Sequence, residues 1–497
     1  MRTAGILLHP TSLPGAGPCG DLGDGALAFL DWLAAAGVRK WQILPLNPPG
    51  AGFSPYDSPS AFAGATHLLS LARLAADGLL DGVDLRPPPG DGARVNRAVL
   101  DGWHAPRVRI AAARLADGDP AALAAFEAAN PWVADWALYK ALVEAQGRPG
   151  WTGFDPAVQK RTPSALAAAR EKLMPAVQQE VAAQLLFARQ WAALRAAARE
   201  RGVQIVGDVP IFVSSGSCDV WAHRRLFRGH AGADGWRAEP ITGVPPDYFS
   251  PTGQRWGNPH YAWAEHKRTK FAWWVARFRQ VFSLVDVARV DHFRGFAAAW
   301  EIAADAPDAT GGRWAEGPGR ALFDAVRAEL GALPLIAEDL GLIDDAVHAL
   351  RDGLGLPGMK ILQFAFGGTN AHAFLPHTWA HPRWVAYTGT HDNDTALGWY
   401  RSAGARSQHR YRVYVGRDGA EPGWDLIRLA WSSVADTAVA PMQDVLGLGA
   451  EARLNTPGTA TGNWEWRCTD LPGWAARRLR DLAEAYGRVE DPEAPAR

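Results

Sequence analysis

Short apolar runs that break off into glycine, proline or charge recur along this chain, and between many of them lie stretches with helical spacing of apolar residues. The runs cover residues 5–8, 41–44, 203–206, 284–290, 335–337, 359–364 and 384–387, with a weaker eighth near 438–441. A strand covered on both faces reads as such a run, because neither face meets water. Among the intervening stretches, residues 26–37 stop at Gly37, a residue suited to a left-handed helix cap, and the Ala- and Arg-rich stretch 180–202 also ends at glycine. Strand, helix and strand repeated in this way predict a parallel α/β fold. At 497 residues the chain suits one large barrel with insertions, or several smaller domains.

Three acids each sit just past such a run and are followed by a polar, turn-prone segment: Val290-Asp291-His292, Ala337-Glu338-Asp339 and His391-Asp392-Asn393. Carboxylates raised from successive strand ends of one parallel barrel would share a site at its C-terminal face. Two carboxylates facing one bond are the equipment for cutting a glycosidic linkage, one as nucleophile and one as proton donor. Arg289 lies two residues before Asp291, so on a strand both project to one face and the guanidinium favours a charged Asp291, the nucleophile candidate. The apolar lead-in to Glu338 favours a raised pKa and a proton-bearing acid. Asp392, beside His391, is suited to holding sugar hydroxyls.

Each acid also has a plainer reading. An Asp after a strand commonly caps a helix or pairs with a loop cation, and Glu338-Asp339 could cap a helix near Leu340. His391-Asp392-Asn393-Asp394 offers oxygens to a hard cation but lacks the calcium-loop spacing. No HExxH, paired-cysteine or GxSxG motif occurs, and no organic cofactor motif is present.

Lys plus Arg (51) nearly cancels Asp plus Glu (52), leaving a formal net charge of −1. That balance gives no footprint for nucleic acid or an anionic membrane and favours a neutral substrate. Cys19, Cys218 and Cys468 form no disulfide or metal framework, so a reducing cytoplasm is expected. No run approaches membrane-spanning length, and the stretch before His9 is too short for a signal-peptide core. Tryptophan is abundant (23 residues); most should be core, the remainder flat faces for stacking sugar rings.

Two segments break the alternating rhythm. Residues 68–177 are turn-rich and then helical, and read as a helical insertion within one catalytic barrel spanning 1–497 rather than a separate domain. Residues 224–263, rich in Gly, Pro and aromatics without a clear period, read as a structured loop insertion over the site. Residues 455–466 have a similar character.

The motifs resemble, in order, the signature blocks of the 4-α-glucanotransferases, the amylomaltases or disproportionating enzymes of the α-amylase clan. The blocks are His9-Pro10-Thr11-Ser12-Leu13-Pro14, Ser54-Pro55-Tyr56 with Ser60-Ala61-Phe62-Ala63-Gly64, Gly207-Asp208-Val209-Pro210, Trp256-Gly257-Asn258-Pro259, Val290-Asp291-His292-Phe293-Arg294-Gly295, Ala337-Glu338-Asp339-Leu340-Gly341, Gly389-Thr390-His391-Asp392-Asn393-Asp394 and Asn455-Thr456-Pro457-Gly458-Thr459. The ordered set runs from about residue 5 to about residue 467, nearly the whole chain.

The resemblance implies a (β/α)8 TIM barrel with inserted, mainly helical subdomains and no separate C-terminal β-domain. It implies Asp291 as nucleophile, Glu338 as acid/base and Asp392 as the third carboxylate. Tyr56, Asp208, Trp256, Arg289, His292, His391 and Asn463 would bind substrate, under a covering loop at residues 247–259 in which Tyr248, Phe249 and Trp256 exclude water. The expected partners are α-1,4-glucans: maltooligosaccharides, amylose, and starch- or glycogen-derived dextrins. No cofactor or metal is expected, and no surface pattern sets an oligomeric state. An α-amylase-like hydrolase is the nearest rival and a silent glucan-binding protein a remoter one. Ser214–Asp219 and Thr378 depart from the usual family residues, which bears on substrate length more than on reaction type.

Overall fold

The computed structural model describes residues 2–90, 92–232, 235–246, 250–367 and 371–489. Eight parallel strands form its centre: β1 (Thr3–Leu7), β2 (Lys40–Gln42), β3 (Gln204–Pro210), β4 (Val287–Asp291), β5 (Leu335–Ala337), β6 (Gly358–Ile361), β7 (Trp384–Tyr387) and β8 (Thr437–Pro441). Their spatial order is β5-β4-β3-β2-β1-β8-β7-β6. Each strand therefore pairs with its neighbours in sequence except β5 with β6, the two ends of the order, and pairing of β1 with β8, Gly5 opposite Val439, wraps the sheet round. This is a (β/α)8 barrel.

No ladder joins β5 to β6 among the described residues. Ala337 N donates to Pro357 O across the gap (2.9 Å). Asp339 helps close it, accepting from Met359 N (2.8 Å) and pairing with the buried Arg351.

The period of two decides what points where. Leu7, Leu44, Val206, Ile336, Met359, Ile361, Val385, Tyr387 and Val439 pack together inside the barrel. The alternate positions Ile205, Ala288, Val290, Ala337, Ala386, Ala438 and Ala440 join the outer core with the helices. Many of the outward residues are alanine, which lets the helix layer come close. Val287 packs against the interior set, so Arg289 and Asp291 on the same strand also face inward. The same parity carries Asp208 inward from Val206.

The connection from β2 to β3 is mainly helical and ends in the long helix Met174–Glu200, beyond which Gly202 takes φ +66°. The connection from β3 to β4 contains more order than its sequence suggests. Residues 224–263, read as lacking any period, include the hairpin Gly229–Gly232/Gly235–Ala238 and the strands Ile241–Val244 and Gln254–Pro259. The latter two join Ala298–Ile302 and Arg313–Glu316, from beyond β4, in a four-stranded antiparallel sheet. No helix among the described residues is long and apolar enough to cross a membrane.

Candidate active site

The C-terminal ends of β3 and β4 carry a charged core. Arg289, 4% exposed, forks between two carboxylates: Nη1 donates to Asp208 Oδ2 (2.6 Å) and Nη2 to Asp291 Oδ1 (2.8 Å). Tyr56, on the connection after β2, donates its hydroxyl to Asp208 Oδ2 (2.9 Å). Burial alone would lower the Arg289 pKa, but Asp208 and Asp291 hold it well above its ordinary value. Burial pushes the Asp208 carboxyl upward against the pull of Arg289. The Asp208 side chain is fully enclosed, whereas that of Asp291 is 30% exposed. The fork thus fixes a carboxylate that reaches the cleft.

Glu338 follows β5, and its backbone is tied to the Asp291 segment: its N donates to Val290 O (3.1 Å) and its O accepts from Phe293 N (3.1 Å). Its side chain accepts from His292 N (2.7 Å) and Leu340 N (2.8 Å). His292 reaches Glu338 from a left-handed conformation, φ +50°, uncommon for a residue with a Cβ. Burial pushes the Glu338 pKa up to about 8, with Arg289 pulling it down and Asp291 pushing it up. The His292 imidazole, lowered by burial to about 4, is neutral near pH 7. Trp256, on strand Gln254–Pro259, meets it edge-on with ring centres 4.8 Å apart and keeps 37% of its surface exposed. That strand is fastened near the end of β3, where Asn258 Nδ2 donates to Val213 O (2.9 Å) and Ser215 Oγ to Gly257 O (2.8 Å). Ser215 is one of the unusual residues of Ser214–Asp219. Tyr248 and Phe249 lie outside the described residues.

Asp392 stands on the loop after β7. Its Oδ1 accepts from Asn455 Nδ2 (2.6 Å), and its Oδ2 lies 3.3 Å from His391 Nε2. Arg453 Nη2 donates to Asp392 O (2.6 Å), and Asn455 N to His391 O (3.1 Å). The His391 ring stacks on Tyr56 (5.1 Å between centres, 11° between planes), and burial lowers its pKa. Trp464 packs obliquely on both rings. Asn463, by contrast, spends its amide within its own segment, accepting from Thr456 N (2.9 Å) and donating to Thr459 O (3.0 Å).

The structure therefore gathers Tyr56, Asp208, Arg289, Asp291, His292, Glu338, His391, Asp392 and Trp256 about one barrel mouth, with Asn463 shaping its rim. A family model described as 4-alpha-glucanotransferase matches residues 8–472. The chain belongs to the 4-alpha-glucanotransferase family.

Relatives agree over nearly the whole length. The 4-alpha-glucanotransferase of Thermus thermophilus is 45% identical, covering 98% of this chain and 99% of the relative. The chloroplastic/amyloplastic 4-alpha-glucanotransferase DPE1 of Arabidopsis thaliana is 42% identical, covering 98% and 86%. Among solved structures, amylomaltase from Streptococcus agalactiae in complex with acarbose superposes with a TM-score of 0.93 at 36% identity, covering 99% of this chain and all of that one. As a 4-alpha-glucanotransferase the chain is a glycosyl-transferring enzyme, an amylomaltase with a TIM-barrel fold.

Sequence reasoning on this 4-alpha-glucanotransferase missed two residues that hold Asp392, Arg453 and Asn455. Asn455 lies inside a block noted for its resemblance, but nothing in the string joins it to an acid so far upstream. Thr378, the other departure, donates to His372 O (3.1 Å) and Leu375 O (2.9 Å) within a local turn.

Proposed function

We propose that Asp291, Glu338 and Asp392 carry the glucan transfer by double displacement. Asp291 attacks the anomeric carbon of the donor while Glu338 gives its proton to the departing glycosidic oxygen. The C–O bond breaks, the reducing-side fragment leaves, and a β-glycosyl ester forms on Asp291. The 4-hydroxyl of an acceptor glucan then attacks that carbon, losing its proton to Glu338. The ester bond breaks and the α-linkage is restored with net retention.

One observation carries this reading: a single buried guanidinium grips Asp291 while the neighbouring carboxyl, Glu338, is buried and pushed up to about 8. Two acids with environments that differ in this way divide into nucleophile and proton carrier. Asp392, held by Asn455 and adjacent to His391, would grip hydroxyls of the sugar undergoing attack. Tyr56, Asp208, Arg289, His292, His391, Trp256 and Asn463 would line the substrate path. The substrates we propose are α-1,4-glucans, from maltooligosaccharides to amylose and starch- or glycogen-derived dextrins, a reading supported by the exposed indole of Trp256 at the mouth. We also read 68–177 and 224–263 as insertions into one catalytic barrel. A cytoplasmic location is supported by three buried, unpaired cysteines.

The test is a trapping experiment. Glu338→Gln incubated with α-maltotriosyl fluoride, whose leaving group needs no acid, should release fluoride and gain the mass of one maltotriosyl group. The peptide containing Asp291 should carry it. Label on another residue would overturn the assignment, and wild type acting on maltotriose should yield glucose with a ladder of longer chains.

A further inference from the structure

We infer that Asp444 is a positioning residue for Asp392, clamping both ends of the loop that carries it. This rests on the role proposed above for Asp392. Asp444 lies just beyond β8, in the short helix Met442–Val445, and is 1% exposed. Its Oδ2 accepts from Thr388 Oγ1 (2.5 Å), and Thr388 is the first residue after β7. Its Oδ1 accepts from Ala396 N (2.7 Å), at the first residue of helix Ala396–Ser402. Thr388 and Ala396 are themselves fully buried. One carboxylate thus joins the point where the loop leaves β7 to the point where it enters the next helix, and His391 and Asp392 lie between.

The clamp is fixed from behind. Helix Pro422–Ser432 approaches so closely at Gly423 that a Cβ there would fall 2.3 Å from Asp444 O. Other ties act mainly on the middle of the loop, although at its β7 end Thr388 N also donates to Val439 O (3.3 Å). Asn393 Oδ1 accepts from Thr390 N (2.8 Å), Gln363 Nε2 donates to Asp394 O (2.8 Å), and Arg453 holds the Asp392 carbonyl. Without the clamp, the loop would pivot on those remaining contacts and move the Asp392 carboxylate relative to Asp291 and Glu338.

The loss expected on removing the clamp is about 10- to 100-fold in kcat, the range for supporting residues behind a reacting set. The experiment is a double-mutant cycle in the full-length enzyme, with α-maltotriosyl fluoride as donor so that slow variants remain measurable. Asp444→Ala should lower kcat in that range and change KM much less. Asp444→Asn should recover most of the rate, because its oxygen still accepts from Ala396 N while its amide can donate to Thr388 Oγ1. In the Asp392→Asn background, Asp444→Ala should cost no more than about twofold, since residues acting through one another are not additive. If Asp444→Ala fails to fold by circular dichroism, Thr388→Val, which removes one arm only, takes its place in the cycle.

Wild-type kcat in both Asp444→Ala and Thr388→Val would overturn the inference. So would a loss that persists undiminished in the Asp392→Asn background, which would mark Asp444 as general scaffolding. Should Asp392→Asn itself turn over at the wild-type rate, the role of Asp392 falls, and the clamp with it.

Discussion

Replacing Arg289 with lysine tests whether the guanidinium fork matters to chemistry rather than to folding. A lysine ammonium is one point charge on a flexible stem and cannot reproduce two parallel bonds to separate carboxylates. It must choose between Asp208, whose side chain is fully enclosed, and Asp291, whose side chain is 30% exposed. Leaving the enclosed carboxylate unpaired costs more, so the ammonium should go to Asp208, which also keeps the Tyr56 hydroxyl. Asp291 then loses its charge-assisted donor, worth about 1.5–3 kcal/mol. At about 1.36 kcal/mol per decade this predicts kcat lower by about 10- to 150-fold. KM should change little, because the missing contact lies beneath the nucleophile. Initial rates of glucose release across a maltotriose series give both constants, and thermal melting confirms that the variant is folded. A kcat within twofold of wild type, or a loss confined to KM, would refute the reasoning.

Other perturbations follow from the same geometry. Because Glu338 holds its proton up to about pH 8, kcat should decline above that pH in a rate profile on maltotriose, and the single fluoride-release burst of Glu338→Gln with a glycosyl fluoride should lack that limb. The same group makes stability fall as pH rises: the fold binds its proton up to about 8 and the unfolded chain only to about 4.5. Its contribution is complete below pH 4.5 and lost as pH passes 8, so the melting temperature of wild type should drop over that interval more than that of Glu338→Gln. Trp256→Ala should shift products from longer glucans toward free glucose and maltose, by opening the cleft to water; an unchanged product ladder by chromatography would remove Trp256 from that role. Gly423→Ala should destabilise the fold by about 1–3 kcal/mol in a denaturant titration, since backbone rather than a movable side chain stands 2.3 Å from the new atom.

The barrel was legible because its strands are covered on both faces, and such strands show as unbroken apolar runs. Boundaries drifted where neighbours differ in kind: Leu284, read into the fourth run, ends the helix Ala272–Leu284, and β4 starts at Val287. Arg289 and Asp291 were placed together correctly from spacing alone, since a period of two is local information. The antiparallel sheet over the mouth was not legible. Its strand Ile241–Val244 pairs with Ala298–Ile302 across the whole of β4, and Thr242 and Gly243 interrupt any alternation. The roles of Asp444 and Asn455 were invisible for a related reason: what they do depends on which loops the barrel brings together, and short polar segments carry no period of their own.

The seam between β5 and β6 has a consequence for motion. Elsewhere in the barrel adjacent strands share a ladder, whereas here closure relies on a backbone bond from Ala337 and on the side chain of Asp339. Local opening starts where the fewest backbone bonds must break together. Amide hydrogen exchange in the native enzyme should therefore be faster at Ala337 and Met359 than at Val290 or Val439. Glu338 lies between Ala337 and Asp339 but is bonded to the β4 side, through Val290 O, Phe293 N and His292 N, so such an opening would leave the proton carrier with His292 and part the mouth on its other flank. The barrel would then breathe along one flank without disarming its acid, and a bound glucan spanning the mouth would slow that breathing.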